Sequence, residues 1–229
     1  MFEAVKVALD PTPAQERLFL SHAGAARFAY NAGLAHVKEV IDAGEKPDWS
    51  FYSLVNWWNA NKNSLAVGAD GAPWWQENSK ESYCRALESL AKGLSNWSKS
   101  RKGLRKGVRV GFPKFKAKDR AVPKFTYGTG SFGLVKNDPK ALKLPRIGRV
   151  HCMENVTALV GDVLHAVNPA DLWQSQRLWV AVNQLKVGGV REPGCCLVLR
   201  LELREPDLSA LPVALPTLRP VRQTLRKRF

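Results

Sequence analysis

Tyr83, Leu87, Leu90, Leu94 and Trp97 recur at spacings of 4, 3, 4 and 3, and this one apolar stripe constrains the fold more than any other feature of the 229-residue chain. That period fits an α-helix and no strand. A stripe so regular reads as core rather than as a cofactor box, so a helical layer has to pack against it. On the other faces Glu81–Arg85 and Glu88–Lys92 are favourable i,i+4 pairs.

Upstream, Glu3 to Leu9 alternates imperfectly, with Val5, Val7 and Leu9 on one side, and ends at Asp10-Pro11, which predicts a short opening strand. Thr12, followed by Pro13 and by Gln15 three residues on, is an N-cap with a capping-box partner, so a helix starts there. Gly24 either breaks that helix or marks a close contact. A second helix through about Ile41, carrying Phe28, Ala32 and Ala35, stops at Gly44. Trp49, Trp57, Trp58, Trp74 and Trp75 crowd the next stretch, where Gly68, Gly71 and Pro73 mark a loop between two helical pieces. Beyond Trp97, Gly103, Gly107, Gly111 and Pro113 end regular helix, and short strands continue through Leu142, Leu144, Ile147 and Val150.

Charge narrows the partner. The chain is 45% hydrophobic and 24% charged, ordinary for a globular protein, yet 35 Lys plus Arg against 20 Asp plus Glu leave a net +15. Residues 92–149 hold 17 basic residues and only Asp119 and Asp138 as acids, so this segment alone equals the whole excess. A segregated surplus of this kind predicts a polyanionic partner, nucleic acid before an anionic membrane, with a solvated basic face as the alternative. No run of about 18 apolar residues is present, and MFEAVKVALDPTP lacks the charged start and apolar stretch of a signal peptide. The expectation is a cytoplasmic, nucleoid-associated protein with no membrane partner. The four cysteines contain no CxxC, and the four histidines are scattered, so no metal or cofactor is expected from them.

Within the basic segment the candidate nucleic-acid contacts are Lys99, Arg101, Lys102, Arg105, Lys106, Arg109, Lys114, Lys116, Lys118, Arg120 and Lys124. Lys114, Lys116 and Lys118 are spaced by two, so in an extended segment they point to one side. Phe112, Phe115, Phe125 and Tyr127 are interleaved with them, and such rings either stack on bases or anchor the segment in the core, the second reading being favoured. On the first helices Gly24, Arg27 and Asn31 share a face. Arg27 and Asn31 are candidates there, a helix-surface arginine paired with a carboxylate or packing its stem being the alternative for Arg27.

SHAGAARFAYN (21–31) after the PTPAQ helix start, APWWQENSKESYCRALESLAKGLSNW (72–97), GFPKFKAKDR (111–120) and LPRIGRV (144–150), taken in this order, resemble the N-terminal half of TnpB/OrfB insertion-sequence proteins. The resemblance covers roughly residues 1–160. It implies an α+β fold similar to type V CRISPR effectors: a short-stranded, wedge-like β domain interrupted by a helical recognition-type domain and followed by a RuvC-type nuclease domain with a zinc ribbon. It also implies RNA-guided DNA cleavage, in which base pairing reads most of the target, and a helix-turn-helix label for the opening helices. The organisation expected is a first strand at 1–10, a helical domain at 11–98, a basic strand-rich region at 99–162 and an atypical tail at 163–229.

The nuclease half is not expected here. A RuvC site converges three acids on Mg²⁺ ions, and neither the GxDxG-like strand nor the cysteines of a structural Zn site are found. The tail carries 2 Lys and 8 Arg where the preceding residues carry 16 and 9, together with 6 prolines and 13 leucines. That switch suggests a product of another reading frame; the alternative is a divergent β end, because Leu197, Leu199, Leu201 and Leu203 alternate and RLWVAV (177–182) is strand-like. The expectation is a truncated member that binds element-derived RNA or DNA without a nuclease site or cofactor of its own, or else a non-cleaving regulator of the same descent. The oligomeric state is left open.

Overall fold

The Thr12 hydroxyl accepts a hydrogen bond from the Gln15 amide at 3.4 Å, and the Gln15 carboxamide accepts one from the Thr12 amide at 3.0 Å, closing the expected capping box. The computed structural model that shows this describes residues 2–120, 122–128 and 132–158, and the backbone of four later strands. From the cap, helix α1 (Pro13–Asp42) runs 30 residues without interruption. The two-helix expectation is thereby corrected. Gly24 neither breaks the helix nor marks a close contact, since a Cβ there would meet nothing within 4 Å. One glycine costs a helix about 1 kcal/mol relative to alanine, too little to break one whose inner face is buried from Phe19 to Val37. The stop falls at Gly44, whose φ of +79° favours a residue without a Cβ.

Helix α2 (Phe51–Leu65) starts at the Ser50 cap, a single 3-10 turn spans Trp74–Glu77, and α3 (Lys80–Arg101) starts at the Ser79 cap. The stripe behaves as its period requires: Tyr83, Leu87, Leu90 and Leu94 are each no more than 2% exposed. Both ion pairs form, Arg85–Glu81 at 3.2 Å and Lys92–Glu88 at 2.9 Å. α1 and α3 pack closely where Gly33 removes a side chain, for a Cβ there would lie 2.9 Å from Leu87 Cδ2. Trp58 of α2 stacks on Tyr83 with ring centroids 5.0 Å apart.

The strands form one antiparallel sheet in the order β2-β6-β9-β1-β5-β4-β3. Its members are β1 (Phe2–Asp10), β2 (Lys124–Tyr127), β3 (Gly133–Val135), β4 (Asp138–Leu144), β5 (Gly148–Cys152), β6 (Arg177–Asn183) and β9 (Cys196–Arg204); β7 (Lys186–Val187) and β8 (Val190–Arg191) make a separate ribbon. β1 lies inside the sheet, pairing with β9 from Phe2↔Arg204 to Leu9↔Leu197 and with β5 at Leu9 and Asp10. β6 joins β2 to β9. Helices α1, α2 and α3 therefore fall in the connection between β1 and β2, giving an α+β fold with a helical layer between its first and second strands. In the tail the backbone takes the strand alternative at 177–183 and 196–204. Apart from the short β7–β8 ribbon, the remainder of the tail, with Asp171, Glu192, Glu205 and Asp207, lies outside the described residues, as does Asp162 just before it.

Helices and sheet share a core. Phe125 and Tyr127 of β2 are 2% and 0% exposed, and Phe125 meets Phe19 at 6.0 Å. His22 lies between the layers, fully buried, 5.3 Å from Phe125. Its Nε2 accepts from the Ser79 amide at 3.1 Å, so Nδ1 carries the proton and donates to the Leu18 carbonyl at 2.8 Å. Burial holds the ring's pKa below its ordinary value.

Candidate nucleic-acid interface

The basic segment leaves the end of α3 and returns across α1 to β2, and its cations divide into two groups. Lys99, Arg101, Lys102, Arg105, Lys106 and Arg109 are all exposed. This turn is held by few contacts: Ser100 Oγ accepts from the Val110 amide at 2.9 Å, and the Arg105 guanidinium donates to the Val108 carbonyl at 2.8 Å. Arg101 lies 5.7 Å from the centroid of the Trp97 ring. The other guanidinium and ammonium groups project from a surface that can follow a phosphate chain.

Beyond Pro113 the chain is pinned to α1. Asn31 Nδ2 donates to the Lys116 carbonyl at 3.0 Å, and Asn31 Oδ1 accepts from the Lys116 amide at 2.9 Å. The Asn31 carboxamide is thus engaged with backbone. Lys116 folds inward, its Nζ 3.5 Å from the centroid of the Tyr30 ring, and burial, with the neighbouring Lys124 charge as the smaller cause, pulls its pKa down to about 8. Lys114, Lys118, Arg120 and Lys124 are exposed. The three alternate lysines therefore do not share one solvent face, because this segment has no strand partner to keep the pleat and the Asn31 clamp sets its local course.

The aromatic residues also divide. Phe125 and Tyr127 are core, the Tyr127 hydroxyl donating to the Pro145 carbonyl at 2.8 Å. Phe112 packs edge-on to Trp97 at 4.9 Å. Phe115 is 52% exposed, with Lys38 Nζ 4.9 Å from its ring centroid. It is the ring of the four that can offer a face to a base.

Where the segment reaches β2 it closes a cleft of about 310 Å³ against α1 and α3. Arg27, Arg85, Lys116 and Lys124 all line it, so residues nearly 100 positions apart meet there. Arg85 is held by Glu81 at 3.2 Å and Glu88 at 3.0 Å, whereas no described carboxylate pairs with Arg27. Among the described residues Arg27 is half-buried and meets no carboxylate, which leaves packing of its stem as the alternative to a phosphate contact. Lys38 and the Ser82–Arg85 face of α3 were missed by sequence reasoning. Lys38 follows Asn31 by seven residues and so continues the Gly24–Arg27–Asn31 face; nothing local marks Ser82. Among the described residues no group of three or more His, Cys, Asp or Glu could hold a metal ion, and no helix is long and apolar enough to cross a membrane.

Residues 1–46 match the family described as the helix-turn-helix domain of IS605-type OrfB proteins. Within those residues the structure has β1 and the single helix α1, so the helix-turn-helix expected from the label is replaced here by a strand and one long helix. The chain is also 34% identical over 159 residues to candidate RNA-guided DNA endonucleases of two Mycobacterium tuberculosis strains, CDC 1551 and H37Rv. The match covers 67% of this chain and 34% of each relative, so the chain spans about a third of the length of the relatives it matches.

Proposed function

The chain belongs to the TnpB/OrfB family of insertion-sequence proteins, and from that premise we propose that its 229 residues hold element-derived RNA, DNA or both, through phosphates, and do not cut. The observation that carries this reading is the set of exposed cations between Lys99 and Lys124, with Lys116 alone turned inward, set on a helical layer between β1 and β2 and continuing into the cleft at Arg27. In this reading the sheet is the wedge-like part and α1 to α3 the recognition-like part. Cytoplasmic, nucleoid-associated action follows from it. Lysine and arginine groups spread along a backbone give affinity with little base preference, and sequence would be read by pairing with a bound RNA.

The test is to purify the protein and sequence the nucleic acid that travels with it. Enrichment of RNA from its own locus is the expected result; random cellular RNA removed by moderate salt would reject a specific role. Incubation of the purified protein with plasmid and Mg²⁺ should leave the DNA intact. Cleavage lost on mutating an acid of this chain would overturn the non-cutting part.

A further inference from the structure

Ser82 on α3 is fully buried, yet its Oγ has no hydrogen-bond partner among the described residues, and it lines the cleft beside Arg27 and Lys116. A buried hydroxyl without a partner carries a desolvation penalty that a ligand can relieve. The surrounding wall is of two kinds. Ala23, Ala26, Ala86 and Phe125 supply apolar surface, and Arg27, Lys116 and Lys124 supply positive charge at the same opening.

We infer that this cleft receives one nucleotide turned out of a single strand, its base against the apolar wall within reach of the Ser82 hydroxyl and its phosphate at Arg27 and Lys116. The inference rests on the nucleic-acid reading above and deepens it. Inorganic phosphate would leave the apolar wall uncovered, and so would the carboxylate side chain of an aspartate or glutamate. A nucleotide combines both chemistries in one group. The volume, about 310 Å³, is at the small end of ligand pockets and admits no paired duplex. A hydroxyl both donates and accepts, so Ser82 can meet the edge of any base without selecting one. Turning a base out costs stacking energy, least in a strand that is already single, which favours single-stranded RNA or DNA.

The experiment uses the full chain and a short single strand carrying 2-aminopurine at an internal position, with anisotropy reporting binding and 2-aminopurine fluorescence reporting unstacking. Binding to the unaltered protein should raise the fluorescence several-fold. Ala86→Leu, which fills the cleft, and Ser82→Val, which removes the hydroxyl, should abolish most of that rise and weaken binding about tenfold. Adenosine monophosphate should compete for the signal where inorganic phosphate at equal concentration does not. Tight binding with no fluorescence change, and unaltered affinity in both variants, overturns the cleft while leaving the nucleic-acid reading intact. Phosphate competing as well as the nucleotide also overturns it, since the site would then take only an anion. Failure of the unaltered protein to bind any strand sinks both readings. If either variant loses its circular-dichroism signature, Arg27→Gln at the rim and the competition with the unaltered chain decide the matter.

Discussion

Asn31 and Lys116, 85 residues apart, are joined by a two-bond ring in which the Asn31 carboxamide both donates to and accepts from the Lys116 backbone, at 3.0 and 2.9 Å. This ring fixes the returning basic segment on α1 and sets the position of Lys116 over Tyr30. Asn31→Ala removes both bonds and leaves a half-buried amide and carbonyl to find water. Urea unfolding should show a loss of about 1–3 kcal/mol, and Asn31→Asp, which keeps the acceptor but sets an oxygen against the Lys116 carbonyl, should not restore it. Wild-type stability in Asn31→Ala would mean the segment is held by other contacts.

Two glycines of α1 should respond with opposite sign to the same change. Gly24→Ala adds a methyl group in open space within a helix, and should stabilise by about 0.5–1 kcal/mol. Gly33→Ala sets a Cβ 2.9 Å from Leu87 Cδ2 and 3.1 Å from Leu90 Cδ2, both in the core, and should destabilise by about 1–3 kcal/mol through overpacking. Thermal melts of the two variants side by side check the pair; equal shifts would contradict the close α1–α3 contact.

What the sequence made legible was local. The Thr12 cap, the stripe of α3 and its i,i+4 pairs each depend on residues within a few turns, and each is present as read. What it hid depends on distant partners. Whether Gly24 ends a helix is decided by the burial of Phe19 to Val37 on either side, which stabilises the helix by more than one glycine costs. The inward turn of Lys116 needs Asn31 and Tyr30, and the cleft needs α1, α3 and β2 brought together, so neither Ser82 nor Arg85 stands out in its own helix. The entry of β6 and β9 between β2 and β1 is likewise a long-range pairing that alternation in the tail could suggest but not place.

His22 should make the fold acid-sensitive. Its Nε2 accepts the Ser79 amide, so protonation breaks that bond and charges a buried ring. With the folded pKa below the unfolded value of about 6.5, the unfolded chain binds more protons as pH falls past that point, and stability is lost from there downward through the folded pKa. Melting temperature should therefore drop between pH 7 and pH 5, and the drop should shrink in His22→Gln, a variant less stable at pH 7 but without the titrating ring. An unchanged slope in that variant would assign the acid sensitivity to other groups.

Lys114 and Lys118 are the exposed members of the alternate triplet. Replacing both with alanine should weaken binding to all sequences alike and flatten the log affinity against log salt slope on duplex DNA by up to about 2 units, at roughly 0.9 per phosphate contact. Titrations at four or five salt concentrations would measure it. No change in slope would make these two lysines part of a solvated face only.

Lys116 separates stability from binding. Its folded pKa of about 8 lies below the unfolded value of about 10.4, so at pH 7 the charged side chain is present at a cost on the order of 3 kcal/mol. Between those two values the unfolded chain binds the extra proton, and the folded protein should gain stability as pH rises from about 8 toward 10. Lys116→Met removes the buried charge and keeps apolar contact with Tyr30, giving up a cation–π contact of about 0.5–1 kcal/mol. The variant should be more stable at pH 7 by about 2 kcal/mol, with a flat profile above pH 8, and should bind single strands more weakly. Because a bound phosphate favours the charged ammonium, wild-type affinity should decline as pH passes about 8, and that decline should be absent in the variant. A variant that gains stability yet binds with the wild-type affinity and pH dependence would show that Lys116 faces no phosphate.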